Sequence, residues 1–189
     1  MKGKQAVREG HQGWFSRPLR DPTVVCVDKY VTHPGHTLPR YLRMIKSNRM
    51  GAFPRPQEHQ LAEALRGKKP PRLPYSAWQQ IEHMRICQWD ILEYIRNPEH
   101  ESPQWPSGYW PAAVPPSKNA WSKCIRAFEA DLKELEALAT DPSTDLMARV
   151  PADPDGPTIL HELLLVADHN AYHLGQLVAL RRALGAWQD

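Results

Sequence analysis

Residues 159–184 read Ile-Leu-His-Glu-Leu-Leu-Leu-Val-Ala-Asp-His-Asn-Ala-Tyr-His-Leu-Gly-Gln-Leu-Val-Ala-Leu-Arg-Arg-Ala-Leu. The run is apolar at helical spacing. Its stripe Leu165, Val166, His169, His173, Leu177, Leu180, Leu184 predicts a long helix with one buried face. At about 3.6 residues per turn, positions i and i+4 point the same way, so the His169 and His173 rings lie side by side on that face. Two polar rings there cost free energy unless something satisfies them. A metal ion is one good partner.

Working outward, two more helices are legible. Ser76 begins one, and Gln79 three residues on completes a capping-box pattern. Its apolar face carries Met84, Cys87, Ile91 and Ile95, and Pro98 stops it. Ser117 is read as the cap of the next, which runs to about Ala139 with Trp121, Cys124, Ile125, Phe128, Leu132, Leu135 and Leu138 inward. Asp141 to Asp155 is a polar connection, after which Gly156-Pro157 opens the final helix with proline at the first helical position. Helices of this length with no convincing sheet predict an all-α fold, an up-and-down four-helix bundle.

The first bundle helix must come from residues 40–66. Tyr41 to Met50 has moderate helical character, Pro54 and Pro56 break the chain, and Gln57 to Arg66 reads as a short helix closed by Gly67. Residues 1–40 show no sustained period, and Thr23 to Val27 is a lone strand candidate with nothing to pair with. They are read as a basic, disordered N-terminal arm, with the bundle over residues 41–189.

Composition narrows the class. The chain has 189 residues and is 41% apolar, enough for one domain with a real core plus an appendage. No apolar run is long enough to span a membrane, and the basic N-terminus lacks the apolar stretch of a secretory signal. Cys26, Cys87 and Cys124 are too few for a disulfide framework and suit a reducing compartment, so a cytoplasmic location is expected. Residues 1–56 hold 11 Lys/Arg against 3 Asp/Glu, leaving 13 against 18 in the rest. A basic arm on an acidic body can touch nucleic acid, but no helix-turn-helix or zinc-finger pattern accompanies it, and a solvated tail is the simpler reading.

Bundle cores host metal sites built from facing helices, so a third ligand is sought on another inner face. His83 qualifies, because it shares the stripe of Cys87 and Ile91. A single histidine so placed is more often a core residue bonded to a backbone group; its value comes from the His169/His173 pair opposite. His161 lies on the same helix as that pair but about 80° around it, which makes it a poor ligand. Cys87 is a possible soft ligand, yet a small buried hydrophobe is the commoner role for free Cys. Gln176, one turn beyond His173, either reaches a pocket or packs against a helix. Gly175 is read as permitting close helix approach, and Tyr172 as a core or interface residue. Glu82, Asp168 and Asn170 adjoin candidate ligands in sequence but point elsewhere on the helix, and Asn170 is expected to pair with a neighbouring helix. The loop Trp105-Pro-Ser-Gly-Tyr-Trp110-Pro111 forms either a pocket lid or a seal on the bundle's end. His11, His33, His36, His59 and His100 carry no signal.

The run Thr158 to Trp187 resembles the last helix of DinB-like proteins. Pro74-Tyr-Ser-Ala-Trp-Gln-Gln-Ile-Glu-His83-Met-Arg-Ile-Cys-Gln-Trp-Asp-Ile-Leu-Glu-Tyr-Ile-Arg-Asn-Pro98 resembles their second, and the Trp-Pro…Tyr-Trp-Pro loop occurs in a subset of them. The resemblance covers roughly residues 60–187 and fades before residue 57. It implies a four-helix bundle, commonly a homodimer, with His83, His169 and His173 holding a divalent metal.

Three neutral imidazoles with open coordination positions describe a catalytic site better than a closed structural one. Zn is the default ion, and Ni or Fe fit the same ligands. The expected function is a metal-dependent hydrolase, or a thiol-dependent S-transferase using a thiol cofactor, acting on a small-molecule substrate. A non-catalytic metal-binding or stress-associated bundle is the alternative, and a nucleic-acid-associated module using the basic arm is a second one. Because ligand imidazoles must be neutral, metal loss is expected below about pH 6.5.

Overall fold

A computed structural model of the chain describes residues 61–187. The arm, the strand candidate at Thr23–Val27, the helical stretch Tyr41–Met50 and the start of the Gln57–Arg66 helix lie outside the described residues. Within them the fold is all-α, with four helices and no strand: α1 (Glu63–Arg66), α2 (Ala77–Arg96), α3 (Ala120–Thr140) and α4 (Ile159–Ala183).

Local chemistry sets where each helix starts and stops. Ser76 Oγ accepts the Gln79 N–H while Gln79 Oε1 accepts the Ser76 N–H, so the capping box of α2 forms as its sequence predicts. The same two side chains fasten the loop ahead of α3. Ser76 Oγ–H donates to the Ala113 carbonyl at 2.6 Å, and Gln79 Nε2 donates to that of Pro111 at 3.0 Å. Helix α3 departs from the expected start. Ser117 is in a turn, its carbonyl accepting the Ala120 N–H at 3.1 Å, and Asn119 takes the cap position without a side-chain bond.

Helix α4 also begins later than Pro157 suggested. Thr158 is its cap, accepting the His161 N–H, and the next free N–H groups are satisfied from the preceding connection. Ile159 donates to the Ala148 carbonyl at 3.0 Å and Leu160 to that of Leu146 at 2.9 Å. Those bonds occupy donors that every helix start leaves open, which fixes Ile159 as the first residue. At the other end Gly185 has φ +67°, and the Ala186 N–H reaches back to the Arg181 carbonyl at 2.9 Å. This is a left-handed glycine closure, matching the sequence-predicted end at Leu184.

Helix α2 is the central element, packed on both α3 and α4. Two apolar clusters hold the helices together. Near the start of α2, Leu61, Trp78, Ile81, Trp121, Ile125, Leu177 and Leu180 pack as one; near its end, Ile91, Leu92, Tyr94, Leu135, Leu163 and Val166 pack as another. The stretch of α2 between them is strongly polar, with His83, Gln88 and Asp90 all buried. Gln88 ties three helices together there. Its Nε2 donates to the Phe128 carbonyl of α3 at 2.7 Å, and its Oε1 accepts from Asn170 Nδ2 of α4 at 2.9 Å. Buried amides of this kind raise fold specificity when satisfied and cost free energy when not.

Glu162, in the first turn of α4, is fully buried, and neither carboxyl oxygen has a hydrogen-bond partner among the described residues. Burial pushes its pKa up to about 8, and the negative charge of Asp90 adds to the shift. A helix N-terminus favours the ionised form, but desolvation wins here. Between the unfolded and folded pKa values the native chain holds a proton that the unfolded chain has released, so stability falls as pH rises through that window. Glu162→Gln is therefore expected to raise the melting temperature at pH 8, with the gain shrinking toward pH 4.5; a pH-independent effect in thermal unfolding would contradict this.

Candidate metal centre

The polar layer brings His83 of α2 together with His169 and His173 of α4. All three are buried, and each offers a ring nitrogen within 4.8 Å of the others. His83 Nε2 and His169 Nε2 are 3.3 Å apart.

Hydrogen bonds fix how two of the rings face. His83 Nδ1 lies 3.1 Å from the Tyr109 carbonyl. A carbonyl only accepts, so Nδ1 carries the proton and Nε2 keeps its lone pair. His173 Nδ1 lies 2.8 Å from Gln80 Oε1, which leaves its Nε2 for the cluster. This is the outer arrangement that metal-binding histidines commonly show, one nitrogen donating outward and the other facing the ion. Lone pairs facing each other at such distances repel unless a proton or cation lies between them.

The donor set fits a divalent ion. A tetrahedral ion with nitrogen ligands at about 2.0–2.1 Å puts those nitrogens about 3.3–3.4 Å apart, and the His83–His169 separation matches. Burial lowers the His83 pKa to about 4, against a smaller upward pull from the Tyr109 carbonyl. Burial also lowers His173, to about 3, with His83 adding to the shift. His169 is pushed well below its ordinary value, first by burial and then by His173 and His83, while a hydrogen bond with Asn170 pulls the other way. The imidazoles therefore stay neutral well below pH 6.5, so metal loss is expected at lower pH than ordinary histidines would give.

Aromatic rings wall the cluster. Trp110 stacks on His83 with centroids 3.8 Å apart and planes 6° apart, and Tyr75 stacks on the far face of Trp110 at 3.9 Å. Trp105, in contrast, is 40% exposed and packs at a tilt on Tyr109, away from the histidines. Cys87 Sγ is 3.6 Å from His83 Nδ1 and 3.7 Å from Nε2, and burial pushes its thiol well up, as suits a neutral core residue. Gln176 lines an open pocket of about 400 Å³ that also takes in Gln80 and Tyr172. Asn170 bonds a neighbouring helix as expected, and Glu82 pairs with Arg85 at 2.7 Å instead of facing the site. One expectation is corrected among the described residues, and another is narrowed. Among the described residues a Cβ on Gly175 would meet nothing within 4 Å, so this glycine mediates no helix contact within them. Tyr172 is 45% exposed, edge-on to His173, and belongs to the pocket rather than the core.

Sequence reasoning missed the residues that hold the loop in place. Asp90 is buried, accepting from His100 Nε2 at 2.7 Å through one oxygen and from the Tyr109 hydroxyl at 2.6 Å through the other. One carboxyl group thus grips the loop at both His100 and Tyr109. That grip sets the Tyr109 carbonyl against His83 and places Trp110 over its ring. The signal available was Asp90 itself, an acid on the buried face two turns from His83.

A family model, that of the DinB superfamily, matches residues 59–177. Together with the helical fold, this places the chain plainly: it belongs to the DinB superfamily. No curated protein and no solved structure matches it.

Asp90→Asn should weaken Zn²⁺ affinity by less than the about 10–100-fold usual for losing a direct outer partner of a ligand, because it acts on His83 only through Tyr109. A chromophoric-chelator competition titration reads this directly. Wild-type affinity in a folded variant would show that the loop holds His83 without Asp90.

Proposed function

We propose that His83, His169 and His173 bind a divalent ion, Zn, Ni or Fe, and that the protein is a metal-dependent enzyme acting on a small molecule, as a hydrolase or a thiol-dependent transferase. The observation that carries this reading is the convergence of three buried, neutral imidazoles whose other ring nitrogens are engaged at two rings by Tyr109 and Gln80. Membership of the DinB superfamily supports it. When bound, a divalent ion supplies Lewis acidity, which lowers the pKa of a coordinated water or thiol toward neutrality.

The chain's own residues do the rest. Tyr109 and Gln80 hold two rings in the tautomer that leaves Nε2 unprotonated. Trp110 shields one face of His83 from water. Three protein ligands leave a tetrahedral ion one position for a reactant, as catalytic sites require. Among the described residues no helix is long and apolar enough to cross a membrane.

Metal-stripped protein reconstituted separately with Zn, Ni and Fe is expected to turn over a chromogenic ester, or to couple glutathione to an activated aryl halide. His83→Ala should fall to the buffer rate. Metal-loaded protein that is inert toward both substrate types, or a His83→Ala variant as active as wild type, would favour the non-catalytic metal-binding reading.

A further inference from the structure

The pocket beside the histidines has a lining with a definite chemistry. It opens between the start of α2 and the second half of α4, with Tyr75 and Gln80 on one side and Tyr172, Gln176, Ala179 and Leu180 on the other. Among the described residues no charged side chain lines it. An ionic ligand would lose its hydration there without a compensating charge, which disfavours it. Two tyrosine rings and four aliphatic side chains, with Leu73 and Pro74 completing the set, suit an apolar body, and a few polar groups among them would fix its orientation.

Gln80 is the polar group with the most at stake. The residue is 3% exposed, and its Oε1 is taken by His173 Nδ1–H at 2.8 Å. That leaves Nε2 as a donor without a hydrogen-bond partner among the described residues, on a side chain that lines the pocket. A donor in that position can exchange water for an acceptor brought by a ligand. Gly175 lies at the same wall with open space where a side chain would stand.

We propose that this pocket binds an uncharged organic molecule with an apolar body and a carbonyl oxygen, which accepts a hydrogen bond from Gln80 Nε2. The same carboxamide orients His173, so an occupant is linked to the histidine cluster through one side chain. The inference rests on the metal-centre reading for its role as the place where substrate is held; binding itself requires no metal.

The test is ligand-observed NMR with phenylacetamide on the full chain, metal-stripped and metal-loaded, with phenylacetate as the charged counterpart. Saturable binding with a millimolar dissociation constant is expected for phenylacetamide, the range open to a probe of about ten heavy atoms. Phenylacetate should bind at least about tenfold more weakly, because its charge finds no partner. Gly175→Phe fills the open space, improves on glycine as a helix former, and should abolish phenylacetamide binding with an unchanged circular dichroism spectrum. Gln80→Met should weaken phenylacetamide several-fold. Equal binding of the two probes, or an unchanged dissociation constant in a folded Gly175→Phe variant, would overturn the proposal. Phenylacetamide binding by protein that takes up no metal would sink the metal reading and leave the pocket standing; metal uptake without phenylacetamide binding would do the reverse.

Discussion

Three buried imidazoles whose ring nitrogens lie within 4.8 Å of one another are the constraint to which the rest of this structure answers. Burial alone makes their charged forms costly, and each added positive ring would repel the others, so all three are driven to neutrality. Neutral rings still need their N–H groups satisfied away from water. The Tyr109 carbonyl and Gln80 do this for His83 and His173. What remains is a set of lone pairs converging on one place.

The surrounding architecture keeps that convergence from relaxing. The apolar clusters at either end of α2 clamp α2 to its neighbours, and Gln88 ties all three long helices between them. The loop before α3 is fastened at several points, by Ser76, Gln79 and the two bonds to Asp90. A loop so held can serve as a wall, with Trp110 laid flat on His83. Glu162 shows that the polar interior is not fully compensated, since its carboxyl group is buried with no hydrogen-bond partner among the described residues and takes up a proton instead. Polar interiors of this kind trade stability for a defined arrangement.

The meeting of the histidines was legible because it follows from helical geometry. Spacing of four residues puts His169 and His173 on one face, and His83 shares a buried stripe with Cys87 on the helix that packs opposite. The α2 capping box was legible for a similar reason: it is local chemistry written in a few adjacent residues. The partners of the imidazoles were not. A backbone carbonyl such as that of Tyr109 has no side-chain signature, and Gln80 reads as one polar residue among many on a helix. His100 sits in a loop and gains its meaning only from Asp90, ten residues away. Ser117 and Pro157 misled because both are favoured near helix starts, whereas tertiary bonds to Leu146 and Ala148 decided where α4 begins. Gly175 misled because glycine in a helix suggests close packing, and among the described residues it borders open space.

The central claim is that the converging lone pairs hold a divalent ion. Elemental analysis of untagged full-length protein, wild type beside His169→Ala, tests it most directly. The account predicts near-stoichiometric Zn, Ni or Fe in wild type and its loss in the variant. Wild-type protein that stays metal-free after reconstitution with each ion, or a variant that retains the same content, would contradict it.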